Sequence, residues 1–237
     1  MSGIVDFHSH VLPSIDDGSA SVEESLAMLQ MEMEQGIHCV IATPHFYPRR
    51  DTPERFLARR NAAEAVLREA MATRGDLPQV ICGAEVYYFP GISNCEALPE
   101  LTIGNQRYIL IEMPNAPWTK SMYAELEGIQ ARWGITPIIA HVDRYFSLLT
   151  THGIPERLEE LPVLVQANAS FFLHSSSRGR AIRMLKRDQI HLLGSDCHNL
   201  TSRMPNLDKA RQLIEKHLSA GALERICLYQ DQVLTDS

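Results

Sequence analysis

Residues 4–10 read Ile4-Val5-Asp6-Phe7-His8-Ser9-His10, a short apolar run that closes on two imidazoles one residue apart. A strand sends alternate side chains to opposite faces, so His8 and His10 are expected on the same side. The same grammar recurs near the far end, where the strand-like residues 191–195 run into Asp196-Cys197-His198. Between them, residues 39–43, 80–85, 108–112, 137–141 and 163–168 are also predicted strands, which with 4–8 makes seven. Segments of helical period separate them. In residues 22–35, Leu26, Leu29 and Met33 recur at three- and four-residue steps, Ile37 follows, and Gly36 supplies a stop. Residues 53–74, 122–133, 178–187 and 207–219 are the other predicted helices. Such alternation is the signature of repeated strand-helix units around a parallel sheet, an α/β fold of TIM-like barrel type.

Composition sets the frame for that reading. The 237 residues, 45% of them hydrophobic, suffice for one core, and Gly/Pro punctuation falls between elements. A single domain over residues 1–237 is therefore expected. The net charge of −7, with Lys and Arg scattered, argues against a nucleic-acid partner, so any attraction for phosphate must be local. No apolar stretch approaches the roughly 20 residues of a membrane span. The opening Met-Ser-Gly-Ile-Val-Asp lacks a basic start and apolar run, so a cytoplasmic location is expected. Five cysteines without a Cys-x-x-Cys pair suit reduced, idle thiols.

The polar residues gather at one kind of place. His8, His10, His45, Glu85, Glu112, His141, Asp196 and His198 all sit at or just past the carboxyl ends of predicted strands. In closed parallel barrels that end is where each strand delivers a side chain to a common mouth. A lone strand-end histidine or glutamate is usually a solvated terminus; six of seven strands ending this way is hard to obtain from core packing alone. Counted with Asp17, the set holds five histidines and four carboxylates, too many for one ion and suited to first-row divalent ions such as Mn, Fe or Zn. His38, His152, His174, His191 and His217 have no such company and read as structural or solvent-exposed.

The motifs His8-Ser9-His10, Asp16-Asp17-Gly18, Thr43-Pro44-His45, Gly83-Ala84-Glu85, Ile111-Glu112, Ala140-His141 and Ser195-Asp196-Cys197-His198-Asn199 resemble those of polymerase-and-histidinol-phosphatase (PHP) domains. More closely, the chain resembles the bacterial manganese-dependent protein tyrosine phosphatases of capsule and exopolysaccharide loci, in order from residue 4 to about residue 205. The resemblance implies a distorted (β/α)7 barrel and three divalent ions, Mn above Fe or Zn. His8, His10, Glu85 and Asp196 would hold one ion; Glu85, Glu112 and His141 the second; Asp17, His45 and His198 the third. Arg144 and Arg203 match the family's substrate-phosphate arginines. The implied partner is a phosphotyrosine protein, such as a tyrosine kinase of polysaccharide export. Val142-Asp143, where the family often has Pro or Ile before Glu, and the tail Tyr229-Gln230-Asp231 depart from its pattern without touching a ligand position.

Three divalent ions would outweigh four carboxylates and, with Arg144 and Arg203, give an acidic protein a cationic pocket for a phosphate dianion. Bound metal can lower the pKa of water to about 7, which makes hydroxide available without a protein nucleophile. A tyrosinate leaving group has little need of a strong general acid, and none is assigned. Asp143 is a candidate helper, or else a carboxylate that orients Arg144 or faces water. The pair Cys197 and Arg203 also fits a Cys-x5-Arg phosphatase spacing, but its loop contains no Gly and alternation turns the sulfur away from Asp196 and His198. Phe46-Tyr47 and Tyr87-Tyr88-Phe89 either flank a substrate ring or pack over the mouth. A small-molecule phosphatase, such as one for histidinol phosphate, and a non-catalytic metal-stabilised module are the competing readings.

Overall fold

A computed structural model describes residues 4–146, 154–218 and 221–235. His152 lies outside the described residues. The elements run in chain order β1 (Ile4–Ser9), α1 (Val22–Glu34), β2 (Ile37–Ala42), β3 (His45–Phe46), α2 (Pro53–Met71), β4 (Gln79–Cys82), β5 (Glu85–Tyr87), β6 (Tyr108–Glu112), α3 (Lys120–Trp133) and β7 (Thr136–Ile139). Then follow α4 (Ile154–Leu158), β8 (Leu164–Asn168), α5 (Ala169–Leu173), α6 (Ser175–Lys186), β9 (Leu192–Gly194), α7 (Leu207–His217) and α8 (Gly221–Thr235).

Every strand pairing among the described residues is parallel. The strands form two arcs, β1-β2-β4 and β3-β5-β6-β7-β8-β9, which curl toward each other. At one seam Gly83 N–H donates to Ala42 O and Glu85 N–H donates to Pro44 O. At the other, Asp196 N–H donates to His8 O, His10 N–H donates to Cys197 O, and Ser9 bridges Cys197. One apolar cluster takes Val5 and Phe7 from β1, Ile41 from β2, Leu110 from β6, Ile138 from β7 and Leu192 from β9. Strands so far apart in sheet order meet only on the concave side of a curled sheet. Val233 of α8 joins this cluster, and Gln230 Nε2 donates to Val5 O, so α8 covers the amino end of the curl. The convex side packs against the helices in a second, larger core.

Local chemistry accounts for the helix boundaries. Ser21 caps α1 by accepting from Glu24 N–H, and Thr52 followed by Pro53 opens α2. Thr119 caps α3, which ends on Gly134 at a left-handed φ of 66°. The structure departs from the expected elements in several places. Residues 80–85 form two strands rather than one, because the chain steps from one arc to the other at Gly83-Ala84. The two-residue β3 is too short to carry a period, and α8 lies beyond the last predicted helix. Residues 207–219 are helical to His217, with 219 outside the described residues.

Gly194 shows how tightly β9 abuts β1. A Cβ there would fall 2.6 Å from His8 Cβ and 2.7 Å from Gln166 Nε2. Both neighbours are fully buried, so neither can give way cheaply. Gly194→Ala is therefore expected to cost about 1–3 kcal/mol of stability by strain, read as a lowered denaturation midpoint in the metal-free protein.

Candidate metal centre

Glu85 is the hub. Its Oε2 lies 3.2 Å from His8 Nε2, 3.4 Å from His10 Nε2 and 2.9 Å from His45 Nδ1, while its Oε1 lies 2.8 Å from His141 Nε2. Parallel pairing puts His45 of β3 opposite Glu85 of β5, and β1 arrives across the seam. Around this hub, Asp196 Oδ1 is 3.6 Å from Nε2 of both His8 and His10, and Glu112 Oε1 is 3.6 Å from His141 Nε2. Asp17 Oδ1 lies 3.5 Å from His45 Nε2 and 3.6 Å from His198 Nε2. All nine predicted residues thus converge on one place. Ligand atoms of seven of them form three overlapping groups able to hold a cation: His8, His10 and Glu85; His10, Asp17, His45 and His198; and His45, Glu85 and Glu112.

The donor set suits divalent cations on two further counts. His45 Nδ1, Glu85 Oε2, His141 Nδ1 and His198 Nε2 are buried without a properly directed hydrogen bond, a costly state that a cation relieves. The electrostatics agree. Burial disfavours a charged His10, yet hydrogen bonds to Asp16 and Glu85 outweigh it and push its pKa up to about 10. Burial and the neighbouring His10 push His198 down to about 4, leaving a neutral imidazole with a free lone pair. Burial opposes charge on Glu85 as well, but four imidazoles hold it well below the usual carboxylate range. A field that retains a proton on a buried imidazole retains a metal cation by the same attraction. Below pH 10 an incoming ion must displace that His10 proton. Divalent-ion affinity is therefore expected to rise with pH across the neutral range, with proton release visible by calorimetry in buffers of different ionisation heat.

Two of these residues have unusual backbones. His141 has φ of 31° and Asp196 φ of 55°, in the positive region that few non-glycine residues adopt. Each follows the end of its strand, and the turn aims the side chain into the mouth at a cost on the order of 1–3 kcal/mol.

Behind the candidate ligands lies a layer of polar side chains to which the sequence alone gave no role. Gln166 Oε1 accepts from His141 N–H at 2.6 Å and lies 3.3 Å from His8 Nδ1. Its Nε2 donates to Asn168 Oδ1, and Asn168 Nδ2 donates to Asp196 Oδ2 at 2.9 Å. Asp6 accepts from His8 N–H and from Ser195 through both its N–H and its hydroxyl, tying β1 to the end of β9. Asp16 Oδ2 is 2.8 Å from His10 Nδ1 and accepts from His45 N–H. Such partners fix ring orientation and tautomer. The signal for Gln166 and Asn168 was present as two polar residues at a spacing of two in an otherwise apolar strand. Asp6 had the same form within β1.

Arg144 donates to Asp196 Oδ2 at 2.6 Å and to Glu112 Oε1 at 3.3 Å, and Arg203 donates to Asp196 Oδ1 at 2.8 Å. Their side chains are 39% and 37% exposed, so both reach from solvent over the candidate ligand cluster. Asp143 accepts from Asn168 N–H, which makes it a tie to the end of β8. Cys197 is fully buried, with its sulfur 3.8 Å from Glu32 Oε1 behind the site. Burial and the Glu32 and Asp6 carboxylates push its thiol well up, the reverse of an activated nucleophile. The aromatic cluster divides. Phe46 is core, packed 5.1 Å from Phe56, and Tyr88 is buried, whereas the Tyr47 and Tyr87 rings meet at 5.8 Å at the mouth. His38 and His191 bond backbone groups at the strand amino ends, away from this site, and His217 bonds Leu213 O of its own helix.

A family profile described as capsular polysaccharide synthesis, CpsB/CapC, matches residues 4–235. The chain belongs to the CpsB/CapC family. Within the similarity that CpsB/CapC membership implies, tyrosine-protein phosphatase CpsB of Streptococcus pneumoniae is 31% identical over 232 residues, 92% of each chain. Tyrosine-protein phosphatase YwqE of Bacillus subtilis is 27% identical over 233 residues, 92% of this chain and 86% of YwqE. A solved structure from work on YwqE and pneumococcal CpsB, described as unique metal-dependent tyrosine phosphatases, superposes with a TM-score of 0.84 at 22% identity. It covers 98% of this CpsB/CapC chain and 94% of the solved one, a likeness of fold. Among the described residues no helix is long and apolar enough to cross a membrane.

Proposed function

We propose that this chain is a metal-dependent protein tyrosine phosphatase acting in the cytoplasm on phosphotyrosine proteins of polysaccharide export, a tyrosine kinase foremost. The observation that carries the reading is the convergence of five histidines and three further carboxylates around Glu85 beneath two half-exposed arginines. We read the curled sheet as a distorted barrel of seven strand-helix units in a single domain. His8, His10, Glu85 and Asp196 would hold one divalent ion, Glu85, Glu112 and His141 a second, and Asp17, His45 and His198 a third, manganese being the preferred metal. Bound there, the ions supply an activated water near neutral pH and Lewis-acid charge at the phosphate.

The rest falls to the chain's own groups. Arg144 and Arg203 already reach carboxylate oxygens on the mouth side, and a phosphate dianion offers the same oxygen geometry with more charge. Their guanidiniums neutralise charge that spreads over the phosphoryl oxygens as the ester bond loosens. Gln166, Asn168, Asp6 and Asp16 hold the ligands in place, so little reorganisation accompanies the reaction. No side chain is assigned as general acid, because a tyrosinate leaves more readily than an alkoxide.

The test is turnover by manganese-loaded protein of a phosphotyrosyl peptide against histidinol phosphate. A strong preference for the peptide is expected; a strong preference for the small molecule would overturn the reading. Cys197→Ser is expected to retain turnover, and EDTA to abolish it, since the thiol is buried behind the site. Loss of activity in the serine variant with metal content intact would restore the cysteine route.

A further inference from the structure

The mouth of the site continues into a groove of about 600 Å³ lined by Tyr47, Arg49, Arg50, Tyr87, Phe89 and Met122, among others. Tyr47 is its inner wall. The ring lies 4.9 Å from that of His45 on one side and 5.8 Å from that of Tyr87, and Arg50 sits over its face at 5.2 Å. A run of contacts thus leads from the metal ligands, along an aromatic wall, to a pair of adjacent exposed arginines.

These two arginines differ from the others nearby. On the far side of Tyr47, Arg55 and Arg59 are both paired with Asp51. Among the described residues no carboxylate is paired with Arg49 or Arg50, in a chain whose net charge is −7. Such an uncompensated cationic pair on an acidic protein attracts a local anion. The phosphate is already matched by Arg144 and Arg203, so the second anion belongs elsewhere on the substrate.

We infer that the Tyr47–Arg50 loop reads the sequence around the phosphotyrosine, selecting substrates with an acidic side chain close to it. The inference rests on the phosphatase reading above and deepens it. With the phosphate at the metal centre, the substrate ring lies against Tyr47, where ring-to-ring contact is favourable. An extended substrate advances only about 3.3–3.6 Å per residue. A flanking Asp or Glu therefore meets Arg49 and Arg50 within a residue or two.

Peptides carrying a non-hydrolysable phosphonate in place of phosphotyrosine, with either Glu or Gln at the flanking positions, separate the possibilities. Bound to manganese-loaded protein and followed by fluorescence anisotropy at low salt, the Glu peptide is expected to bind on the order of fivefold more tightly, the yield of one or two exposed ion pairs. The preference should shrink with added salt and vanish in R49Q/R50Q. Equal binding of both peptides by the unsubstituted protein, or a preference that survives R49Q/R50Q, would overturn the inference. Turnover of p-nitrophenyl phosphate, measured alongside, distinguishes the two levels. If it is hydrolysed while the peptides bind alike, only the flanking-residue inference fails. If neither hydrolysis nor peptide binding occurs, the phosphatase reading fails and takes this inference with it.

Discussion

Glu85→Gln is expected to lower turnover by on the order of 10³-fold or more, with bound metal lost in parallel, because a metal-assisted reaction forfeits several kcal/mol without its ions. The substitution keeps the shape of the side chain and removes its charge. Glu85 is 1% exposed and contacts His8, His10, His45 and His141, and among the described residues no other carboxylate contacts all four. Metal content by elemental analysis and hydrolysis of a phosphotyrosyl peptide should fall together. Retained turnover with reduced metal would show that the reaction does not depend on the ions Glu85 holds.

Arg144→Ala is expected to behave differently, lowering kcat/KM by about 10²–10³-fold, the cost of losing one group that stabilises transition-state charge. Metal content should be retained, since Asp196 keeps its bond from Asn168 and its place beside His8 and His10. Arg144→Lys should recover only part of the loss, because an ammonium cannot reproduce two parallel guanidinium contacts. Arg203→Ala should act in the same direction. A variant that loses metal as completely as Glu85→Gln would place Arg144 in the ligand scaffold rather than over the phosphate.

The contrast between these two residues follows how each could be read from the sequence. Glu85, Glu112 and His141 end apolar runs, and a charged group at the end of such a run is visible because it breaks the hydrophobic pattern. Asp196 and His198 announced themselves by pairing at a spacing of two. Arg144 and Arg203 lie outside the strands and have no period to mark them; resemblance to a family supplied them. Asp6 and Gln166 were hidden for the opposite reason. They sit inside strands, where a single polar residue is easily taken for a tolerated exception, and only their partners across the seam explain them.

The fold was legible where hydrophobic period is long and opaque where it is short. Six of the seven predicted strands each correspond to one strand of the structure, because three to six residues within a longer apolar run suffice to display alternation or continuous burial. The region 80–85 misled, since apolar character continues through Gly83-Ala84 while the hydrogen-bond partner changes from β2 to β3. β3 has two residues and no pattern to display. The groove beside Tyr47 depends on side chains from separate elements, and its arginines stand in a charged stretch that reads as ordinary solvated surface.

The central claim is that hydrolysis of a phosphotyrosyl substrate depends on metal held by the Glu85 cluster. It is tested most directly by titrating manganese into EDTA-stripped protein while recording bound metal and phosphotyrosyl-peptide turnover on the same samples. The account predicts no turnover at zero metal and a rise that saturates as the stoichiometry approaches three ions per chain. Turnover in the stripped protein, or full occupancy without hydrolysis, would contradict it.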